Sequence, residues 1–473
     1  MESDEDVTLR AVGPPPSTYP TALETVMRMV ERKYFCSRKF GMTEVSTKSG
    51  LIGVCCANTR ESFELEKLML KRIVRFALLG LIVVAAVGRG ELAGLAQSSS
   101  QPSGMPIFEV DPSWPKLPNN WVMGVVSAVT VDRRDHVWIL HRPRSVQDAL
   151  KDRAAPPVLE FDAEGRFVNA WGGAAQGYDW PVTEHGIMVD NKDIVWIGGS
   201  GITDDFLLKF TIQGKFLKEF FGKGQSKGNA DTMALNRPSD ASIYTKTNEV
   251  FVSDGYGNRR VIVLDADTGA FKRMWGAFGN PPDSAPPAGA PGAGGRVGRG
   301  GRQAGQGQAA PPPFEIEGPG SPQFGNPVHS IKISNDGLVY VADRANRRVQ
   351  VFTPEGKYVT QVFINRAIPS QGTAAGVAFS PDLQQQFLYV SDLGNSHLAV
   401  LNRKTLQVLY QFGAKGTKPG EFQAPHLISV DSKGNLYTAE VNPGNRAQKF
   451  LFKGMSPTPP PNALTPTQLT ATQ

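Results

Sequence analysis

NPVHSIKISNDGLVYVADRANRR, at residues 326–348, is the stretch from which the fold can be predicted. Two of its segments, IKIS and LVYVAD, have the two-residue period and the β-branched and aromatic residues of strands. Asn, Asp and Gly, which favour tight turns, join them. The stretch therefore predicts an antiparallel pair of strands, in which the arginine-rich loop after the second strand returns to the edge where His329 stands.

The same pattern recurs along the chain, so that six copies can be counted. The other five begin at residues 127, 185, 240, 375 and 426, and the copies at 127 and 375 are looser. The second strand of each copy contains an aromatic residue, and these residues lie 58, 55, 89, 49 and 48 positions apart: Trp138, Trp196, Phe251, Tyr340, Tyr389 and Tyr437. Repeats of about 40 to 50 residues with about four short strands are typical of propeller blades. The sequence predicts an all-β, six-bladed β-propeller.

The propeller is expected to occupy residues 97–454. A short strand at residues 107–110 has no hairpin partner nearby, whereas the last copy is one strand short. Since an N-terminal strand often completes the final blade of a propeller and removes its exposed edge, we predict that this strand closes the ring. The Gly/Pro-rich insert at residues 280–320 cannot bury apolar surface and is expected to be disordered. Residues 455–473 are expected to form a flexible tail.

The N-terminal region has the features of an export signal. Residues 69–96 contain a basic start, a short apolar stretch and then small residues, which is the pattern of a secretory signal peptide. We therefore expect a periplasmic or secreted protein that starts at Met69 and has no stable membrane span after cleavage. Residues 1–68, which contain all three cysteines, are then a non-native or mis-called extension. The alternative is a cytoplasmic segment followed by an uncleaved signal anchor.

Three of the six histidines stand at one place in the repeat, the start of the first strand, which we call the ring position. Aligning the six copies places these residues there: Ser127, His185, Asp240, His329, Ala375 and His426. The histidines belong to copies 2, 4 and 6, so they are expected to converge on the axis of the ring. Three His without a fourth protein ligand is the usual composition of a catalytic zinc site with an open position.

The loops after the second strands bring further polar side chains to the same face. They read LHRPR, SDGYGNRR and ADRANRR in copies 1, 3 and 4, and contain Arg142, Tyr256 and Arg344. Guanidinium groups bind carboxylates through two parallel hydrogen bonds and favour the ionised form of a neighbouring phenol. The same loops also supply structural ion pairs, a role assigned to the arginines at their ends: Arg259, Arg260, Arg347 and Arg348.

The repeats resemble NHL-type propellers, and the residues above are similar to those of one family, the peptidyl-α-hydroxyglycine α-amidating lyases. The resemblance covers about residues 107–454, apart from the insert. In that family three His hold zinc within motifs like PHG, PHS and PHD, and the matching stretches here are EHGI, VHSI and PHLI. The resemblance implies zinc ligands at His185, His329 and His426, and catalytic residues at Tyr256, Arg142 and Arg344.

Two departures from the family concern its structural calcium and its disulfides. The resemblance implies calcium bound by the main-chain carbonyls of Val129 and Ile187, together with a carboxylate directly after the third His. Leu427 stands at that position, so the carboxylate is missing. The propeller also contains no cysteine, so the family's disulfides cannot form.

The reaction that the resemblance implies is cleavage of a carbinolamide N–C bond, which yields an amide and glyoxylate. The partner is then a small-molecule or peptide substrate with a carboxylate. Zinc would act as a Lewis acid, Tyr256 would remove the hydroxyl proton, and Arg142 and Arg344 would hold the carboxylate.

Two other functions stay open at this point. One is a different metal-dependent lyase or lactonase, although such propellers use several acidic ligands and the ring position offers only Asp240. The other is a non-catalytic propeller that binds a protein or glycan, since a fold does not fix a function. The net charge of +6 gives no argument for a nucleic-acid partner.

Overall fold

A computed structural model of the chain describes residues 104–282, 316–367 and 372–464. These residues form six four-stranded antiparallel sheets, and the first strands of the sheets pack side by side in a closed ring. The predicted all-β, six-bladed propeller is confirmed. The predictions for residues 1–68 and 69–96, for most of the insert at 280–320 and for the end of the tail lie outside the described residues.

The blades follow one another along the chain, with the first strand of each nearest the axis. Blade 1 contains β2 (Val125–Val131), β3 (Val137–Arg142), β4 (Val158–Phe161) and β5 (Phe167–Trp171). Blade 2 contains β6 (Glu184–Val189), β7 (Ile194–Gly199), β8 (Leu207–Thr211) and β9 (Phe216–Phe220). Blade 3 contains β10 (Asp240–Tyr244), β11 (Glu249–Asp254), β12 (Arg260–Asp265) and β13 (Phe271–Trp275).

The second half of the ring repeats this order. Blade 4 contains β14 (Val328–Ile333), β15 (Val339–Asp343), β16 (Arg348–Phe352) and β17 (Tyr358–Phe363). Blade 5 contains β18 (Ala374–Phe379), β19 (Phe387–Asp392), β20 (His397–Asn402) and β21 (Val408–Phe412). Blade 6 contains β22 (Pro425–Val430), β23 (Leu436–Glu440), β24 (Arg446–Ser456) and, as its outermost strand, β1 (Met105–Asp111).

The ring is closed by β1, which pairs antiparallel with β24. Phe108 of β1 is buried and packs against Tyr389 and Phe412 of blade 5, with ring centroids 5.6 and 5.7 Å apart. The N-terminal strand thus covers the edge of blade 6 and ties it to the neighbouring blade. This confirms the predicted closure by residues 107–110, in a strand that is slightly longer than expected.

The core consists of six apolar clusters, one between each pair of neighbouring blades. Each cluster contains one of the aromatic residues that mark the repeat, and all six are at most 2% exposed: Trp138, Trp196, Phe251, Tyr340, Tyr389 and Tyr437. Burial of one such side chain contributes roughly 1.5–3 kcal/mol. The sequence period therefore follows from the packing of blade against blade.

Three of these aromatic residues are also tied to the turn that precedes them. Trp138 donates to Asp132 (3.1 Å), and Trp196 and Tyr437 donate to the matching Asp190 (2.8 Å) and Asp431 (2.9 Å). The other oxygen of each carboxylate accepts two main-chain N–H groups of the turn between the first and second strands. In blades 1, 2 and 6, one Asp therefore links the turn to the core.

The described residues include four short 3-10 helices, all in the connections: Pro143–Ser145, Asp148–Arg153, Ala277–Gly279 and Arg344–Asn346. Within the described parts of the chain, no helix has the length and hydrophobicity needed to cross a lipid bilayer.

Candidate metal centre

Three imidazoles meet at the axis of the propeller. His185, His329 and His426 are at most 2% exposed, and their ring centroids lie 4.5 to 5.0 Å apart. One nitrogen of each imidazole lies within 4.8 Å of the nitrogens of the other two. The structure therefore brings together the three histidines that the sequence placed at the ring position.

A β-bulge turns each of these histidines toward the axis. The pairing of β6 with β7 shifts between Glu184 and Gly186, and that of β14 with β15 shifts between Val328 and Ser330, so the histidine is the extra residue in each case. Blades 1, 5 and 6 have the same irregularity at the start of their first strands. Because a bulge changes the direction of a side chain, it lets the ring position point inward from the edge of the sheet.

Blade 3 differs from the other blades, and here the sequence alignment is corrected by one residue. Strand β10 pairs with β11 without a shift, and Asp240 lies opposite Ser253. The registers of the other blades then place Ser239, not Asp240, at the ring position. Asp240 lies one residue further along the strand, where its carboxylate accepts from Ser330 (2.8 Å) and Lys332 (2.8 Å). The alignment was wrong by one residue because the apolar pattern does not show at which residue the strand pairing begins.

The main chain of the next blade orients each imidazole. Nδ1 of every ring lies 2.6 to 2.7 Å from the carbonyl oxygen at the neighbouring ring position: His185 with Ser239, His329 with Ala375, and His426 with Ser127. A carbonyl oxygen only accepts, so Nδ1 carries the proton and donates. Nε2 of each ring therefore carries the lone pair that can bind a metal, as is usual for metal-bound His.

Burial keeps these imidazoles neutral. It lowers the pKa of His426 to about 3, assisted by the positive charge of Arg344. Burial also lowers the pKa of His185 and His329 well below their ordinary value, and repulsion from His426 lowers both further. Neutral imidazole is the form that binds a metal. Three neutral nitrogens with fixed tautomers fit zinc with an open coordination position.

Calcium does not fit the residues near this centre. Leu427 is buried in the apolar cluster between blades 1 and 2, beside Ile187, where calcium would require oxygen ligands. The carboxylate of Asp240 is already paired with Lys332. The carbonyls of Val129 and Ile187, which the resemblance implied as calcium ligands, therefore lack an acidic partner. Asp240, the carboxylate on which a lactonase-like calcium site would depend, is thus outside the ring position and already held in an ion pair.

Tyr256 lies directly against the histidines. Its hydroxyl oxygen is 3.0 Å from Nε2 of His185, 3.2 Å from Nε2 of His329 and 3.4 Å from Nη1 of Arg344. The loop after β11 can place it there only because residue 255 is glycine: a Cβ at Gly255 would lie 1.8 Å from the carbonyl oxygen of Val328. The phenol oxygen therefore shares the open side of the three imidazoles.

The two predicted arginines lie near Tyr256 and His185, at the open side of the three imidazoles, which we call the mouth of the site. Arg344 begins the short helix after β15 and donates to the Tyr256 hydroxyl. Nε of Arg142 donates to the carbonyl of Glu184 (2.8 Å), the residue before His185, which fixes its guanidinium beside blade 2. Burial lowers the pKa of Arg142, while attraction to Tyr256 and Glu184 opposes this effect.

Other arginines of these loops have structural contacts. Arg260 and Arg348 are fully buried and pair through Nε with Asp254 and Asp343, at 2.8 Å each. Their remaining nitrogens donate to main-chain carbonyls of the preceding connections. These contacts agree with the structural role predicted for both residues. Arg259 donates to Gln323 (3.5 Å) and Arg347 to the carbonyl of Arg366 (2.9 Å).

Sequence reasoning missed Arg237, a third arginine at the mouth. The carbon of its guanidinium lies 5.8 Å from the centre of the Tyr256 ring, the same distance as that of Arg344. Arg237 precedes the first strand of blade 3 and lies outside the loops that follow the second strands. The LNRPSD sequence around it contains an arginine, but nothing in its pattern indicates proximity to Tyr256.

A second group with metal-ligand chemistry lies at the turn of blade 1, around Asp132, His136 and Glu160. Asp132 is occupied by Arg134 and Trp138, and Glu160 lies 2.7 Å from Nδ1 of His136. Because these side chains already bond one another and their neighbours, we assign the three residues a structural role in the turn.

Comparison with known proteins agrees with the fold and the repeat. The NHL repeat model matches residues 328–352, within blade 4. The six blades and the aromatic period define a six-bladed β-propeller, and one of its blades matches the NHL repeat.

Curated proteins that are similar to this chain include the following two. It is 25% identical to NHL repeat-containing protein 3 of Homo sapiens over 357 residues, which cover 73% of this chain and 84% of that protein. It is 24% identical over 372 residues to peptidyl-alpha-hydroxyglycine alpha-amidating lyase 1 of Drosophila melanogaster, covering 73% of this chain and 60% of the lyase. Among solved structures, one described as a streptogramin B lyase matches with a TM-score of 0.40 and 12% identity, over 73% of this chain and 88% of that chain.

Proposed function

We propose that this chain is an exported, zinc-dependent lyase that cleaves the carbinolamide N–C bond of an α-hydroxyglycine substrate to give an amide and glyoxylate. The contact of the Tyr256 hydroxyl with Nε2 of both His185 and His329 carries the proposal, because it joins a proton acceptor to a metal-binding triad. The similarity to the Drosophila amidating lyase supports the choice of reaction.

His185, His329 and His426 would hold the zinc through Nε2, since Nδ1 of each is bonded to a carbonyl. Zinc, when bound, would supply a Lewis acid that polarises a substrate oxygen. The surrounding burial excludes water from the imidazoles and strengthens every charge interaction near them.

Tyr256, as phenolate, takes the proton from the substrate hydroxyl. As that oxygen forms the aldehyde C=O of glyoxylate, the C–N bond breaks and its electron pair goes to the amide nitrogen. The nitrogen takes up the proton from Tyr256, so the amide leaves neutral and the phenolate is restored. The reaction is balanced without a co-reactant. Arg344, which donates to the phenol oxygen, stabilises negative charge on that atom.

Arg142 is placed to bind the substrate carboxylate. Its Nε is held by the carbonyl of Glu184, so the direction of the guanidinium is set before the substrate arrives. The terminal nitrogens are the donors that match a carboxylate in a two-bond arrangement. Binding the carboxylate next to the imidazoles brings the neighbouring hydroxyl within reach of Tyr256.

The second candidate is a non-catalytic propeller that binds a protein or a glycan at its rim. NHL repeat-containing protein 3 favours it, because that relative is as similar as the lyase and its name states no reaction. The two candidates differ in whether the histidines bind metal and whether Tyr256 is needed.

The test is to express the chain from Met69 and to measure zinc after dialysis, beside a variant with His185→Ala, His329→Ala and His426→Ala. We expect about one zinc per chain in the wild type, none in the variant, and glyoxylate release from α-hydroxyhippurate only by the wild type. A folded wild-type protein without metal or glyoxylate release would favour the binding propeller.

A further inference from the structure

The connection from blade 2 to blade 3 holds Arg237 in an unusual backbone conformation at the rim of the metal centre. Its φ is +60°, a left-handed value that is uncommon for a residue other than glycine. The N–H of Arg237 donates to the carbonyl of Asp204 (3.0 Å), and its own carbonyl accepts from the N–H of Tyr256 (3.1 Å). Bonds to blades 2 and 3 thus maintain a conformation that costs about 1–3 kcal/mol by itself.

This conformation directs the guanidinium to the mouth. Nε of Arg237 donates to the carbonyl of Ser200 (2.8 Å), and the guanidinium carbon lies 5.8 Å from the centre of the Tyr256 ring. Its two terminal nitrogens form no hydrogen bond or ion pair with any residue that the structure describes. Of the acidic groups nearby, Asp204 is used by the main-chain N–H groups of Val182 and Thr183.

Arg237 and Arg142 are held in the same way on opposite sides of one hairpin. Each guanidinium is fixed through Nε to a main-chain carbonyl of blade 2: Arg142 to Glu184, the first residue of β6, and Arg237 to Ser200, directly after β7. His185 also lies at this end of the hairpin. Two fixed guanidiniums, whose terminal nitrogens bond no residue in the described part of the chain, therefore flank His185.

We propose that Arg237 is a third guanidinium of the substrate site and binds the substrate carboxylate together with Arg142. Arg344, which is bonded to Tyr256, then acts on the oxygen that gains charge. This division of roles makes the site specific for small acids whose carboxylate is adjacent to the reacting hydroxyl carbon. The inference rests on the proposed function for the identity of the reaction, but carboxylate binding can be tested without turnover.

The experiment measures binding of hippurate, which has the carboxylate and lacks the reacting hydroxyl, to the zinc-loaded protein by calorimetry. Hippuramide, in which an amide replaces the carboxylate, is the neutral comparison. Arg237→Gln should weaken hippurate binding about tenfold or more, because a hydrogen bond to a charged group is lost. Hippuramide binding should change less than twofold. Arg237→Lys should recover part of the loss, because it keeps the charge without the planar fork.

Arg153→Gln is the matched control. Arg153 lies in a 3-10 helix of the same face, and its side chain bonds only to Asn120 among the described residues, so this variant should bind both ligands like the wild type. A purely structural role of Arg237 would weaken hippurate and hippuramide equally, and that outcome overturns the inference. So does wild-type protein that fails to bind hippurate.

Zinc content and the thermal midpoint show whether Arg237→Gln is folded. If it is not, Arg237→Lys alone decides the test. We expect that variant to bind hippurate about threefold more weakly and hippuramide as the wild type does. Loss of hippurate binding in the variant, with no glyoxylate release from α-hydroxyhippurate by any protein, would keep the carboxylate site and reject the lyase reaction. Glyoxylate release by the wild type, with hippurate binding unaffected by Arg237→Gln, would keep the lyase and reject the role of Arg237.

Discussion

At the ring position, blades 2, 4 and 6 carry histidine, whereas blades 1, 3 and 5 carry Ser127, Ser239 and Ala375. The second group contributes no ligand, but its main-chain carbonyls bond Nδ1 of the three histidines and select their tautomer. One set of blades thus supplies side chains to the centre and the other supplies backbone. The comparison teaches that the odd ring positions act on the three imidazoles through their backbone and not through their side chains.

The largest expected effect comes from substituting one residue of a hydrogen-bonded pair, His426, in comparison with the other residue, Ser127. His426→Ala should lower the affinity for zinc by more than about 100-fold and abolish glyoxylate release, because a ligand is lost. Ser127→Ala removes the side chain but keeps the carbonyl that accepts from His426, so zinc affinity should stay within a few-fold of the wild type. Competition with a chelator measures both affinities. A loss in Ser127→Ala as large as that in His426→Ala would contradict the division between side chain and backbone.

Blade 3 sharpens the comparison, because it lacks the histidine but supplies Tyr256. Tyr256→Phe removes the phenol oxygen and leaves the three imidazoles in place. We expect kcat for glyoxylate release to fall by about 10²–10⁴-fold, the range usual for loss of a general base, with zinc content unchanged. Wild-type turnover by a zinc-loaded Phe variant would remove the central step of the proposed reaction.

A second position of the repeat, the last residue of the second strand, allows the blades to be compared by their stability. The last residue of the second strand is Asp343 in blade 4, where it is fully buried and pairs with Arg348. Asp343→Asn leaves the guanidinium buried without its counter-charge, and we expect the free energy of unfolding to fall by about 3–5 kcal/mol. The thermal midpoint or urea unfolding measures this. A loss below about 1 kcal/mol would show that the carbonyls around Arg348 are sufficient partners.

Much of the fold could be predicted because its cause is local and periodic. The aromatic residue of each second strand fills a gap between two blades, and the gap recurs at every blade, so the sequence has to repeat with it. The strand at residues 107–110 could be assigned because an unpaired strand and an incomplete blade appear at opposite ends of one repeat array. The aromatic period and the unpaired strand can both be recognised in the sequence before any contact in the structure is known.

The site was predicted only as far as its residues follow the repeat. His185, His329 and His426 share one ring position, so their convergence follows from symmetry. Asp240 was misplaced by one residue because the bulge is a property of strand pairing, and Arg237 was missed because its left-handed backbone depends on bonds from two blades. The carbonyls that orient the imidazoles are backbone atoms, which residue identity does not reveal.

Blade 5 gives the smallest expected effect, at the position that corresponds to Asp343. Asp392 is fully buried there, and His397 stands opposite it where blades 3 and 4 have a paired arginine. Asn395 and Asn365 donate to the carboxylate. Burial without a paired arginine raises the pKa of Asp392 to about 6. The same ladder position therefore holds a salt-bridged acid in blade 4 and an acid with a raised pKa in blade 5.

The sign of the resulting pH dependence is opposite to that of a salt-bridged acid. Between the ordinary pKa of 3.8 and about 6, the folded state of Asp392 binds more protons than the unfolded state, so stability falls as the pH rises through this window. Asp392→Asn is neutral throughout, and the side-chain amides of Asn365 and Asn395 can rotate to match it. We expect the variant to gain about 1–3 kcal/mol relative to the wild type between pH 4 and pH 8, whereas Asp343→Asn is destabilised at both. Thermal midpoints of the two variants at both pH values measure the contrast, and a pH-independent difference for Asp392→Asn would mean that the carboxylate is ionised across the whole range.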